Sequence, residues 1–231
     1  MPVAQRSALQ VAIIGGGWAG LAAAVAAFQA GHQVCLFEAA RTLGGRARRI
    51  EISLPDGRRQ RLDNGQHILI GAYVTTLRLL RQVGLDPESA LLRLPLTLQF
   101  PDGGGLQLAQ APAPWDVLAG VLRARGWRWS ERLALLQRAW RWRRHGFVCA
   151  AQTSVAELCA GLPLRVQHEL IEPLCLSALN TPPAQASAEL FLRVLQDSLF
   201  AAPGGSNLLL PRVDLSVLWP EAAADDGHLQ C

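Results

Sequence analysis

An α/β fold, opening on a βαβ unit and passing into a mostly helical region, is predicted by three observations. VAII (11–14) is a short, β-branched apolar run bounded by glycine, which reads as a buried strand. WAGLAAAVAAFQAGHQ (18–33) is alanine-rich and runs into Gly31, a residue suited to closing a helix. VCLFE (34–38) is a second short apolar run, again read as a buried strand, and it ends on the carboxylate of Glu38. Strand, glycine turn, helix and strand together take about 30 residues, the size of one βαβ unit.

The opening run VAIIGGGWAGLAAAVAA (11–27) carries no charge, and its length sits at the lower limit for crossing a bilayer. Three consecutive glycines, Gly15 to Gly17, argue against a continuous helix, since each costs about 1 kcal/mol relative to alanine. A turn holding a dinucleotide's phosphates is the better reading. Gly15, Gly17 and Gly20 match G-x-G-x-x-G: the first permits the tight turn, the second lets backbone approach a pyrophosphate, the third lets helix lie against sheet. The segment Gly15-Gly16-Gly17-Trp18-Ala19-Gly20 is therefore the candidate cradle, with backbone N–H groups and a positive dipole end at the helix start. Glu38 follows Gly20 by 18 residues, where an acid accepts hydrogen bonds from adenosine ribose hydroxyls and repels a ribose 2′-phosphate.

Beyond Glu38, EAARTLGGRARR (38–49) brings a second glycine pair, Gly44 and Gly45, flanked by Arg41 and Arg46. A guanidinium at Arg46 offers a fixed fork of donors to a pyrophosphate oxygen. Arg48 and Arg49 read as a solvated basic turn.

G-x-G-x-x-G followed by E-x-x-R-x-x-G-G-R resembles the amino-terminal flavin signature of the amine-oxidase and phytoene-desaturase superfamily. That resemblance implies FAD as cofactor, with Glu38 on the ribose and Gly45 and Arg46 on the pyrophosphate side. Three further stretches, LDNGQHILIGAY (62–73), LNTPPAQASAELFLRVLQDSLF (179–200) and LLLPRVDLS (208–216), resemble the hydroxysqualene dehydroxylases of bacterial hopanoid synthesis. This implies an FAD enzyme that reductively removes the hydroxyl of hydroxysqualene to give squalene. The alternatives are a phytoene-desaturase-like polyisoprenoid desaturase and a non-catalytic, membrane-associated nucleotide-binding fragment.

DNGQH sets Asp63, Asn64, Gln66 and His67 around Gly65, after the hairpin-like SLPDGRRQRL. Gly65 would let backbone lie against a flat ring. His67, with an unperturbed pKa near neutrality, is a candidate donor to a departing hydroxyl; the alternative is a turn residue bonded to nearby backbone. Asp63 would need a strongly raised pKa to act as that acid.

Residues 115–147 change character. Five tryptophans (Trp115, Trp127, Trp129, Trp140, Trp142) alternate with eight arginines, and only Asp116 and Glu131 offset the charge. Leu133, Leu136 and Trp140 recur at helical spacing with Leu135, Ala139 and Trp142 beside them, so the tryptophans are expected on or near a buried leucine side. An amphipathic, cationic, tryptophan-edged helix suits peripheral membrane contact; a helix covering the core is the rival, and a nucleic-acid groove is disfavoured. SVAELCAGLPLRVQHELIEPLCLSALNTPP (154–183) reads as short helices broken at Pro163 and Pro173 and ending at Asn180, with solvated His168, Glu169 and Glu172.

The totals narrow the classes. Half the residues are hydrophobic and 17% charged, which excludes a disordered or fibrous chain. All 22 basic residues are arginine, so a lysine Schiff base or phosphate-loop lysine is excluded. The cysteines (Cys35, Cys149, Cys159, Cys175, Cys231) lack C-x-x-C or zinc-ligand spacing and read as small buried hydrophobes in a reducing compartment; no metal site is expected. MPVAQRSALQ shows no secretory pattern, so a cytoplasmic chain, peripheral at the inner membrane face, is expected. The expected division is a dinucleotide-binding segment at 1–72 and a largely helical substrate region at 73–231. The ending EAAADDGHLQC, with no later strand-rich segment, suggests that the carboxyl-terminal completion of the nucleotide domain is missing.

Overall fold

The computed structural model describes residues 8–65, 67–201 and 203–225; Gln66, Cys231, the opening MPVAQRS and the closing DGHLQC lie outside the described residues. By backbone contacts the chain divides into two units, one of residues 8–69, 73–93 and 209–225, the other of 70–72 and 94–208. The division thus differs from a single boundary at 72, because the segments 73–93 and 209–225 belong with the glycine turn.

In the first unit, β1 (Gln10–Ile14), α1 (Trp18–Gln29) and β2 (Gln33–Phe37) form the expected βαβ unit. The two strands pair in parallel, Gln10 opposite Gln33 through Ile14 opposite Phe37. α1 presents Leu21, Ala24 and Val25 inward at i, i+3 and i+4, and all three are fully buried. Gly31, at φ +85°, ends the helix: its N–H bonds the Phe28 carbonyl and that of His32 the Ala27 carbonyl, so the last carbonyls are satisfied from within. The strands are less buried than their composition predicts. Ile14 is 90% exposed and Phe37 also stands in solvent, because α1 covers one face of a two-stranded ribbon, and a parallel strand is wholly buried only when both faces are layered.

An antiparallel hairpin follows, β3 (Arg49–Ser53) and β4 (Arg59–Asp63), in the stretch read as hairpin-like. Gly57 turns it at φ +82°. Next come β5 (Leu69–Ile70), α2 (Val74–Gln82), α3 (Pro87–Ala90) and β6 (Leu91–Leu94). The late strand Leu208–Pro211 lies between β5 and β6. The core of this unit gathers Leu21 and Val25 with Leu77, Leu80, Leu209, Leu215, Leu218 and Trp219. Each such side chain contributes about 1.5–3 kcal/mol by leaving water.

The second unit holds a short hairpin, β7 (Thr97–Gln99) with β8 (Gly105–Gln107), and helices. α4 (Trp115–Leu122) and α5 (Trp129–Arg144) cover the tryptophan–arginine segment. Leu164–Val166, a π-helical turn Gln167–Ile171 and Glu172–Leu179 run on without a break at Pro173, which lies directly after the π-helical turn, where the regular i to i−4 ladder that proline would interrupt is already altered. Asn180 closes that run in the left-handed region at φ +49°. An apolar cavity of about 50 Å3 remains among Leu106, Leu135, Trp142, Leu170 and Leu199.

The expected burial of the tryptophans needs correction. Trp127 and Trp142 are buried, and the Trp127 indole N–H donates to Glu169 Oε2 at 2.7 Å, so Glu169 is not a solvated group. Trp115, Trp129 and Trp140 are exposed, as is Leu133. α5 carries apolar residues on more than one side, and Leu135 with Trp142 sets which side faces inward. Among the described residues no helix is long and apolar enough to cross a membrane.

Candidate functional site

The site lies within the first unit and grows from the end of β1. Gly15 sits at φ +101°, which a side chain disfavours, and its N–H bonds the Phe37 carbonyl at 2.7 Å. Gly16 and Gly17 continue the turn, and Trp18, Ala19 and Gly20 form the first turn of α1. A Cβ at Gly20 would stand 1.8 Å from the Gly15 carbonyl oxygen, so helix and strand approach as closely as they do only without one. No side chain caps the helix start and no acid sits in its first turn, which leaves the dipole's positive end to an anion from outside. At Gly15 a Cβ would meet nothing within 4 Å. The turn is open on that side.

Glu38 faces the turn. Its Oε2 accepts from the Gly16 N–H at 2.6 Å and its Oε1 from the Ala40 N–H at 2.7 Å. These amides, Ala40 first and then Gly16, hold its carboxyl below the usual carboxylate range against a smaller desolvation effect. The second glycine pair docks on the first: the Gly44 N–H bonds the Gly16 carbonyl at 2.8 Å, and Gly17 and Gly44 form a parallel bridge. A Cβ at Gly45 would lie 3.2 Å from the Gly17 Cα. Both glycine segments and Glu38 therefore make one continuous backbone surface.

Other expected residues stand around it. Arg41 and Arg46 are exposed, and their side chains have no partner among the described residues. Asn64, beside Gly65, ties its loop to this strip through its N–H on the Arg48 carbonyl at 2.8 Å. Gly65 takes φ +93°, and the His67 Nδ1 lies 3.2 Å from the Gly65 carbonyl, the local backbone contact of a turn residue. Asp63 accepts from the Leu215 N–H at 2.9 Å, which occupies it in holding two distant segments together.

The structure adds residues that no local pattern marks. Arg49, read as a solvated basic residue, is instead paired with Asp214 at 3.0 Å and Glu221 at 2.9 Å, and its N–H donates to Ser216 Oγ. Burial works against the Asp214 carboxylate, yet the Val217 N–H and the Arg49 guanidinium outweigh it and hold the group below its ordinary pKa. The same late segment backs the glycines. The Trp219 indole donates to the Trp18 carbonyl at 3.2 Å, the Trp18 indole donates to the Ala47 carbonyl at 2.8 Å, and a Cβ on Gly44 would meet Pro220 at 3.0 Å. Partners some 165 residues apart leave no local signal in the chain.

Glycine turn, uncapped helix start and carboxylate at the second strand define the class: a Rossmann-type nucleotide-binding chain. Residues 13–83 match the NAD(P)-binding Rossmann-like domain family. The fold is similar to that of an oxidoreductase from Methanosarcina mazei, with a TM-score of 0.61 at 17% identity, covering 94% of this chain and 50% of that one. Within the class, this chain is similar to hydroxysqualene dehydroxylases along most of its length. It is 29% identical to the hydroxysqualene dehydroxylase of Zymomonas mobilis over 207 residues, covering 87% of this chain and 46% of that protein. It is also 37% identical to the zeta-carotene desaturase of Solanum lycopersicum over 97 residues, covering 42% of this chain and 16% of that one. The chain spans about half the length of the curated hydroxysqualene dehydroxylases it matches.

Proposed function

We propose that this protein is an FAD-dependent oxidoreductase that reductively removes the hydroxyl of hydroxysqualene to give squalene, a step toward hopanoid-type lipids. The observation that carries the flavin reading is the surface made by Gly15–Gly17, Gly44 and Gly45, with Glu38 braced against its middle. Open space outside Gly15 and an uncapped α1 fit a diphosphate, whose oxygens accept from amide N–H groups. Each Glu38 oxygen spends one lone pair on an amide and keeps capacity for a ribose hydroxyl. Arg41 and Arg46, exposed and unpaired among the described residues, supply donors on the pyrophosphate side.

Bound and reduced, FAD would supply the hydride that replaces the hydroxyl, which takes up a proton and leaves as water. The chain's own contribution is to bind and orient the dinucleotide. The substrate reading rests on homology to hydroxysqualene dehydroxylases along nine-tenths of the chain. The desaturase match covers a shorter stretch and supports the shared cofactor more than a second activity.

Two measurements on the purified chain test this. FAD titration followed by flavin fluorescence should show saturable binding, with NADPH a poor competitor. Incubation with hydroxysqualene and dithionite-reduced FAD should yield squalene by gas chromatography. A chain that binds a nicotinamide dinucleotide in preference to FAD would overturn the flavin reading. Saturable FAD binding with hydroxysqualene left unconverted would overturn the substrate.

A further inference from the structure

α5 presents an apolar stripe to solvent as well as one to the core. Leu135 and Trp142 are buried in the second unit, whereas Trp129, Leu133 and Trp140 are 65%, 52% and 59% exposed. At 100° per residue the exposed three fall within about 40° of one another, and a rise of 1.5 Å per residue spreads them over about 16 Å. They form one outward line along most of the helix.

The charge around that line is one-sided. Arg141, Arg143 and Arg144 occupy the last turn, and among the described residues no carboxylate pairs with them. The two acids of 115–147 are spent elsewhere: Asp116 is buried with its Oδ1 on the Val117 N–H, and Glu131 accepts from the Arg128 N–H at 2.6 Å. Two of the eight arginines have turned inward, Arg132 to the carbonyls of Leu122 and Ala124 and Arg138 to those of Leu158 and Ala160. Of the six that remain, Arg141, Arg143 and Arg144 gather at the carboxyl end of α5, beside Trp140, and Arg123, Arg125 and Arg128 stand exposed ahead of its start.

We propose that this stripe seats α5 in the headgroup layer of an anionic bilayer, with Trp129, Leu133 and Trp140 at the acyl boundary and Arg141, Arg143 and Arg144 on lipid phosphates. Indole rings favour that depth, and arginine stems lie along apolar surface while the heads reach charge. Arg144 lies 5.2 Å from the centre of the Trp140 ring and Arg132 4.7 Å from that of Trp129, so each ring has a face covered by a guanidinium, which leaves little for a stacked base. Three side chains in a line offer far less than the roughly 800 Å2 that a stable protein partner buries on each side. A bilayer needs only the stripe and the charge. This inference stands apart from the flavin and substrate readings, since vesicle binding requires neither.

The test is co-sedimentation of the full chain with vesicles of phosphatidylcholine alone and of phosphatidylcholine with phosphatidylglycerol, with tryptophan quenching by brominated lipid. The parent should bind the anionic vesicles, and salt should weaken binding. Replacing Arg141, Arg143 and Arg144 by glutamine should lower affinity roughly a hundredfold, given about tenfold for each 1.4 kcal/mol and about 1 kcal/mol per arginine. W129S with L133S and W140S should abolish the quenching; W140S alone, read beside it, keeps the test sharp if the triple variant melts early. Sedimentation equal with and without lipid would overturn the proposal. So would binding unchanged in both variants, or a stripe variant that loses only self-association or RNA binding.

Discussion

The Glu38 carboxylate accepts the Gly16 amide at 2.6 Å, so the end of the second strand is tied to the middle of the glycine turn. The side chain that would read the ribose is thereby a brace of the phosphate turn. Glu38→Gln keeps the shape but sets an amide N–H against an N–H of the backbone or a donor in place of an acceptor. We expect FAD affinity to fall by about tenfold, from a lost charge-assisted bond. The sign with pH follows from the lowered pKa. The carboxylate's contribution is fully present above the ordinary carboxylate value and is lost as pH falls through the folded one. Affinity should therefore hold through neutral pH and weaken in acid for the parent, and show no such loss for the variant. Flavin fluorescence titrations across pH check both, and a variant matching the parent at neutral pH would remove Glu38 from the site.

Two glycines, Gly20 inside α1 and Gly31 just past its end, separate close approach from conformation. At Gly20 an added Cβ meets the Gly15 carbonyl oxygen at 1.8 Å, so Gly20→Ala must push helix from strand. A cost of about 1–3 kcal/mol follows, together with weaker flavin retention because the turn itself moves. At Gly31 the φ of +85° is strained for alanine, yet nothing lies within 4 Å. Gly31→Ala should cost about 1 kcal/mol and leave flavin affinity alone. Thermal melts with flavin titrations distinguish them; equal flavin affinity in both variants would argue against a cradle at Gly15–Gly20.

Cys159 is buried, and desolvation pushes its thiol up to about 12. Burial also raises Cys175, whose Sγ donates to the Thr181 carbonyl. Neither supplies thiolate near neutrality, and the thiolate is the reactive form. Iodoacetamide at mildly alkaline pH should leave both unmodified in the folded chain and label both in denaturant, as read by peptide mass spectrometry. Rapid labelling of Cys159 in the native chain would mean that its surroundings open.

What the chain disclosed in advance was whatever is settled within one turn of backbone. Gly31 closes α1 and Asn180 closes Glu172–Leu179 through left-handed conformations that few residues adopt cheaply, so those endings are local facts. The glycine fingerprint and Glu38 belong to the same class, since one strand and one helix place them. The outward stripe of α5 was hidden because Leu133, Leu135, Leu136, Trp140 and Trp142 spread over half the circumference of the helix, and periodicity alone does not choose the inward side. The exposure of Ile14 was hidden for a related reason: an apolar run reports what a strand can bury, while burial itself depends on layers from elsewhere.

Arg49 shows the same limit at the site and leads to a stability prediction. Its two carboxylate partners lie 165 and 172 residues further along the chain, and the three groups pin β3 to the segment behind Gly44. Arg49 and Asp214 are each about a quarter exposed, so the pair is partly shielded from water, while Glu221 is nearly half exposed and counts for less. Removing the guanidinium leaves Asp214 half-desolvated without its cation, so Arg49→Gln should destabilise the chain by about 1–2 kcal/mol at neutral pH. Because the folded Asp214 pKa is depressed, its share is present above the ordinary aspartate value and disappears as pH falls through the folded one. The gap between parent and variant in urea denaturation should therefore be widest at neutral pH and close in acid. A gap that persists unchanged in acid would assign the loss to packing of the arginine stem rather than to its charge.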